Sequence, residues 1–397
     1  MFTRIHIKGF RTCRDVQLDD LGQITALIGK NGSGKTNILK AIEWAAAAVG
    51  AEKRDPTPGA SVTVEALVRQ QEYRYTFALE RKERSNQPRG AAASGVELQE
   101  SLALRGTAGW VDAVTRAGEN IAIRFPERNV TLRAATFTPM IQVLVAVLPK
   151  EDPLLQRIHP LLTFLRGVRY YPLDEPSDFD EMSPSVYVQD HEYAAWAIKH
   201  AEHGVPSDDV KMRLLFMSKE QPEKFEQFLS LVGPRGLSLV EGVEIGSATG
   251  IPRTIPAKGN RVGKNGYFVV FRQVGLPLFY GYAELSAGTR RVLRMVLSMV
   301  FDESSVMLIE QPEDSIHTGL LKKIIPLLRD ASGCQVIMAS HSPTVMNLLR
   351  PEELRLVTVK AGKTSVRALT ARETNAAEKY ITDEGALADH LQVVDGV

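Results

Sequence analysis

Residues 29–36 read Gly29-Lys30-Asn31-Gly32-Ser33-Gly34-Lys35-Thr36, the pattern GxxxxGK[ST]. Few eight-residue strings restrict a fold so tightly, because these glycines, the lysine and the hydroxyl work together only where a buried strand turns through a loop into a helix. The flanks supply that context. The apolar run Ile24-Thr25-Ala26-Leu27-Ile28 precedes the loop, and Asn37 to Trp44 follows with helical spacing. Glycines at 29, 32 and 34 let the backbone N–H groups around Asn31, Ser33 and Asn37 curl about a triphosphate, and the helix start adds its positive dipole end. Lys35 would reach the β- and γ-phosphates and the Thr36 hydroxyl would ligate Mg²⁺, so ATP and Mg²⁺ are the expected ligands.

The composition admits a folded globular chain. Apolar residues make up 44% and charged residues 24% of 397 positions, with a net charge of +1. A sizeable core is possible, and any nucleic-acid contact must come from a local patch. No apolar run reaches the roughly 18 residues of a membrane span, and Met1 to Ile7 alternates like a strand, so a cytoplasmic protein with no membrane contact is expected. Cys13 and Cys334 cannot build a disulfide framework and read as reduced structural thiols.

Ile5, Ile7, Phe10, Val16 and Leu18 fall on inward positions of two strands around a turn. Residues 62–68, 73–80, 96–104 and 120–125 continue as an antiparallel layer, with an exposed loop at 84–95. Helical spacing takes over from about 152 to 232, broken at Pro172, Pro176, Pro184, Pro206 and Pro222. The expected organisation is an N-terminal lobe, 1–150, a helical insertion, 151–240, and a C-terminal lobe, 241–397. His191, His200 and His203 in the insertion raise a metal reading. Glu192, Lys199 and Glu202 mark a solvated face instead, and no further ligand of fixed spacing follows. Between Ile245 and Ala283 there is no Asp or Glu, while Arg253, Lys258, Arg261, Lys264 and Arg272 are present. This is either a solvated loop or a contact for DNA phosphates.

Two buried strands are expected at Val306–Ile309 and Gln335–Ser340. The first ends at Glu310-Gln311 and the second at His341, which puts acidic and imidazole groups where ligands collect in α/β sheets. Leu285-Ser286-Ala287-Gly288 reads as a capped helix start.

Phe10-Arg11, the phosphate loop, Leu285-Ser286-Ala287-Gly288-Thr289 with Arg291, Ile309-Glu310-Gln311-Pro312-Glu313 and Ser340-His341-Ser342-Pro343 resemble, in order, the motifs of the ABC-type ATPases of the AAA-domain family. That family includes the ATPase modules of OLD-like nucleases and is related to RecF and SMC clamps. The resemblance implies an α/β fold: a P-loop ABC-type ATPase head with a mixed β layer and an inserted helical subdomain. It implies a homodimer that sandwiches ATP, with Ser286 and Gly288 of one chain donating to the γ-phosphate held by the other, and with Arg11 beside the nucleotide. Thr36 and Glu310 would hold Mg²⁺, His341 would sense the γ-phosphate, and Gln142 is the candidate for a glutamine that couples the metal to the helical region. Ser315-Ile316-His317 takes the place of the family's dimer-interface loop.

One departure bears on catalysis. The family follows its metal-site acid with a glutamate that deprotonates water, and here that position is Gln311. An amide orients water without accepting its proton, and losing a general base typically costs about 10²–10⁴-fold. A natural slow switch and an engineered base-to-amide change both give this sequence. The leading expectation is therefore a slowly hydrolysing, dimerising ATPase switch that controls a separately encoded nuclease or toxin in DNA-linked defence. The alternative is a DNA repair or recombination clamp that binds DNA directly across the ATP-bound dimer. A nuclease is not expected after His341, where no acidic cluster of suitable spacing appears.

Overall fold

The computed structural model describes residues 1–49, 57–81, 96–125, 128–135, 137–173, 186–203, 209–247, 266–275, 278–331, 333–383 and 385–390. They form two compact units. The first comprises residues 1–172, 305–312 and 328–397, and the second 173–304 and 313–327.

The first unit holds two sheets. One has eight antiparallel strands in the order β2-β1-β4-β5-β6-β7-β8-β9. Its strands are β1 (Phe2–Phe10), β2 (Cys13–Leu18), β4 (Ser61–Val68), β5 (Gln71–Arg81), β6 (Val96–Gly106), β7 (Gly109–Ala117), β8 (Asn120–Phe125) and β9 (Arg128–Arg133). The other has six strands in the order β10-β15-β16-β3-β17-β18, parallel except for the last pair. It contains β3 (Ile24–Ile28), β10 (Val168–Tyr171), β15 (Val306–Glu310), β16 (Gln335–Ser340), β17 (Leu354–Lys360) and β18 (Lys363–Ala368). Every residue of β3, β15 and β16 is buried, as expected for parallel strands covered on both faces.

Helix α1 (Lys35–Ala46) packs on β1 and β4 of one sheet and on β10, β15 and β16 of the other. Its Ile38, Leu39 and Ile42 are fully buried, and the Trp44 ring meets Phe77 edge-on at 4.6 Å. Residues Ile5, Ile7, Phe10, Val16 and Leu18 all lie in this core. Both thiols are buried, and burial pushes Cys13 up to about 11 and Cys334 to about 12, so neither ionises near neutrality.

The second unit has a small sheet of β11 (Tyr187–Gln189), β12 (Gly242–Ser247), β13 (Gly266–Arg272) and β14 (Phe279–Tyr280), with helices at Asp190–His203, Val210–Glu220, Pro222–Val232 and Ala287–Val300. An ion pair between Arg213 and Asp302 spans 3.1 Å with both side chains almost wholly buried. Asp302→Ala would strand the guanidinium, and a loss of roughly 3–5 kcal/mol is expected in denaturant unfolding. His200 stacks on Trp196 and on Phe301 with centroids at 4.9 and 5.2 Å, so it is packed against rings and is not part of a purely solvated face.

The unit boundaries fall away from 150 and 240. The helix Pro153–Arg166 packs on β4, and β10 pairs with β15, so both stay with the N-terminal residues, whereas Ala287–Val300 joins the helices of the second unit. Strands β7, β9, β10, β11, β12, β14, β17 and β18 are not expected from the sequence; β10 and β11 are too short for a periodic signal, at four and three residues. The loop at 84–95 lies outside the described residues. Among those described, no helix is long and apolar enough to cross a membrane.

Candidate functional site

The parallel register aligns the motifs of the first unit. Ile28 at the end of β3 pairs with Ser340 at the end of β16, and Ala339 pairs with Glu310 at the end of β15. The phosphate loop, the acid and the Ser340-His341 turn therefore leave one carboxyl edge of the sheet, side by side.

The loop itself depends on glycine at two points. Gly34, the N-cap of α1, has φ 103°, and a Cβ there would collide with Thr364 Oγ1. Gly29 backs onto the Val357 carbonyl in the same way. No side chain caps α1, which leaves its first N–H groups for an anion. Lys35 is buried, and its Nζ donates to the carbonyls of Gly29 (2.6 Å) and Lys30 (2.9 Å) across the loop.

A network absent from the sequence reading holds the loop from behind. Thr364 Oγ1 donates to the Ser33 carbonyl (3.0 Å) and shares a hydrogen bond with Thr12 Oγ1 (2.8 Å), Asn37 Nδ2 donates to Thr12 Oγ1 (2.8 Å), and exposed Arg11 donates to Asn37 Oδ1 (3.3 Å). The β1–β2 turn, with Arg11 at φ 52°, is thereby tied to the loop. Nothing in the local sequence marks Thr12 or Thr364.

Glu310, 8% exposed, is held through both oxygens. Thr36 Oγ1 donates to Oε1, and Tyr170 Oη donates to Oε2 at 2.7 Å. Burial, reinforced by the Glu310 charge, pushes the Tyr170 phenol far above its usual range, so it stays a donor. Gln311 is left-handed at φ 45°, and its N–H donates to the Ala339 carbonyl at 2.7 Å. Ser340, fully buried, accepts from the Ser342 N–H at 3.0 Å, and His341 beside it is exposed.

A hydroxyl and one carboxylate at the mouth of a phosphate loop are the hard oxygen donors Mg²⁺ uses when substrate phosphates complete its shell. Thr36 and Glu310 fit such an ion. Gln142 does not join them. Its Nε2 lies against the Ala48 carbonyl at 3.4 Å, past the far end of α1, about 20 Å along the helix from Lys35. The coupling role expected for it is therefore not supported by its position.

In the second unit, Ser286 is the exposed N-cap of helix Ala287–Val300, accepting from the Thr289 N–H at 3.2 Å. Gly288 packs so closely on the Ser315 backbone that a Cβ would strike its carbonyl oxygen. His317 Nδ1 accepts from the Gly319 N–H at 3.1 Å, where the next helix (Thr318–Asp330) begins. The signature and the Ser315-Ile316-His317 loop are thus neighbours. Arg253, Lys258, Arg261 and Lys264 lie outside the described residues, and Arg272 pairs with Glu241 at 3.3 Å.

The fold and the aligned strand ends define a P-loop nucleotide-binding α/β protein. Two family models match: one described as an AAA domain over residues 4–121, and one described as "AAA domain, putative AbiEii toxin, Type IV TA system" over residues 253–347. An uncharacterised protein of Methanocaldococcus jannaschii is 37% identical over 65 residues, 16% of this chain and 18% of that protein. The OLD nuclease of Thermus scotoductus is 49% identical over 43 residues, 11% of this chain and 8% of that nuclease. The matched stretches thus span less than a fifth of these relatives. An Smc head bound to the C-winged helix domain of ScpA superposes with TM-score 0.48 at 15% identity, covering 94% of this chain and 99% of that one. Over residues 4–121 and 253–347 the chain is thus similar to AAA-domain proteins, and over a shorter stretch to an OLD nuclease.

Proposed function

We propose that the chain is an ATP-driven, dimerising switch with slow turnover that controls a separately encoded effector. Loop residues 29–37 bind ATP, and Thr36 with Glu310 would hold Mg²⁺, which would supply positive charge to offset that of the phosphates. The observation that carries the reading is the Thr36–Glu310 contact at aligned strand ends beside the phosphate loop. Exposed Ser286 and the Gly288 N–H, on a helix start that favours anions, donate to the γ-phosphate of a second copy.

The energetics are adequate for a switch. Moving a population from 1:99 to 99:1 takes about 5.5 kcal/mol of differential binding. Two sandwiched γ-phosphates, each with two charge-assisted bonds of about 1.5–3 kcal/mol, exceed that. ADP lacks those contacts. Gln311 at the base position keeps the closed state long-lived, and His341 reads the γ-phosphate at the same edge. The effector reading, a nuclease or toxin in defence, draws support from the matched family's description and from the OLD nuclease relative.

The test is solution mass with and without Mg-ATP, with phosphate release followed in the same sample. ATP-dependent dimers with little phosphate released support the switch; monomers at saturating ATP would sink it. Lys35→Ala removes the charged donor and is expected to weaken ATP binding about 10–100-fold by calorimetry, abolishing the dimer at ATP concentrations that saturate the parent.

A further inference from the structure

We infer that Tyr170 is a positioning residue that presents Glu310 to the metal through one oxygen only, and so favours Mg²⁺ over Ca²⁺. The inference rests on the ATP and Mg²⁺ reading above.

Its basis is the way the two carboxylate oxygens are divided. Tyr170 Oη takes Oε2 at 2.7 Å, leaving Oε1, which faces Thr36 Oγ1. The tyrosine comes from β10, the strand next to β15, where Tyr170 pairs with Leu308 and Tyr171 with Ile309. Its backbone is therefore fixed relative to Glu310 by sheet hydrogen bonds. A free glutamate can turn and chelate through both oxygens. Ca²⁺ accepts such bidentate carboxylates at 6–8 coordination, whereas Mg²⁺ demands near-octahedral geometry and uses carboxylates sparingly. A hydrogen bond that holds Oε2 back therefore disfavours the ligand arrangement Ca²⁺ prefers and fixes the one Mg²⁺ needs. Groups that orient metal ligands typically contribute about 10–100-fold to metal affinity.

The experiment is ATP binding by calorimetry across Mg²⁺ and, separately, Ca²⁺ concentrations, for the parent, Tyr170→Phe, Glu310→Gln and the double variant. ATP binding in EDTA and thermal unfolding report whether each variant is folded. Tyr170→Phe is expected to raise the Mg²⁺ requirement about 10-fold while the Ca²⁺ requirement stays the same or falls, with EDTA binding unchanged. On the Glu310→Gln background, loss of the hydroxyl is expected to change nothing further, because the tyrosine acts through that carboxylate. Equal shifts for both ions, fully additive effects with Glu310→Gln, or curves that coincide with the parent's would each overturn the inference while leaving the ATP reading intact. A parent that forms no metal-dependent ATP complex would overturn both.

Discussion

Replacing Gln311 by Glu is expected to raise steady-state phosphate release about 10²–10⁴-fold with little change in ATP affinity. The two side chains have nearly the same shape, so the substitution alters what the group can accept. Its backbone is already committed: Gln311 is held at φ 45° by the 2.7 Å bond from its N–H to the Ala339 carbonyl, with buried Pro312 next in the chain. A left-handed non-glycine residue costs of order 1–3 kcal/mol, and Glu would bear the same cost as Gln. The new carboxylate would stand one residue from Glu310, and a neighbouring like charge raises a carboxyl pKa towards the range of a working base. Phosphate release under saturating Mg-ATP, with mass measured in parallel, checks this. The parent's dimers should persist and those of Gln311→Glu should turn over. A variant no faster than the parent would show that water is activated by another group and that the acidic strand end has been misread.

The part of this site that was readable beforehand is the part written in contiguous residues. A phosphate loop, an apolar run ending in Glu310-Gln311 and another ending at His341 each carry their structural context with them, and parallel pairing then aligned them. The groups that hold those residues were not readable. Tyr170 lies 140 positions from Glu310 on a four-residue strand inside a region whose spacing is helical, and Thr364 reaches the Ser33 carbonyl from 331 positions away. Threonine and tyrosine are ordinary residues, and only tertiary pairing makes these two special. Gln142 shows the opposite error: a glutamine of suitable type in a plausible stretch is directed by helix packing to the Ala48 carbonyl instead. The domain boundaries shifted for a related reason, since β10 is assigned by its partner β15 and not by its neighbours in sequence.

Gly288→Ala is expected to abolish ATP-dependent dimers while leaving ATP binding by the single chain little changed. The added methyl would meet the Ser315 carbonyl oxygen, and the next atoms are the Ser315 carbonyl carbon at 3.0 Å and the Ile316 Cα at 3.6 Å, so the obstacle is backbone and cannot rotate away. Ser315 is itself left-handed at φ 59°, Ile316 is buried, and the Gly319 N–H is bonded to His317 Nδ1. With that loop anchored, the start of helix Ala287–Val300 must move instead, by something on the order of 1 Å. In the proposed sandwich that end carries both γ-phosphate donors, and a misplacement of about 1 Å can cost around 10²-fold. Nucleotide binding survives because residues 29–37 belong to the other compact unit. This separates the variant from Lys35→Ala, which is expected to lose both properties. Ser286→Ala keeps the glycine and removes only one donor, about 1 kcal/mol of helix cap and roughly a tenfold loss in dimer affinity. Solution mass with ATP, compared across the three variants, orders these effects; Gly288→Ala dimers that form as readily as the parent's would remove the signature helix from the nucleotide interface.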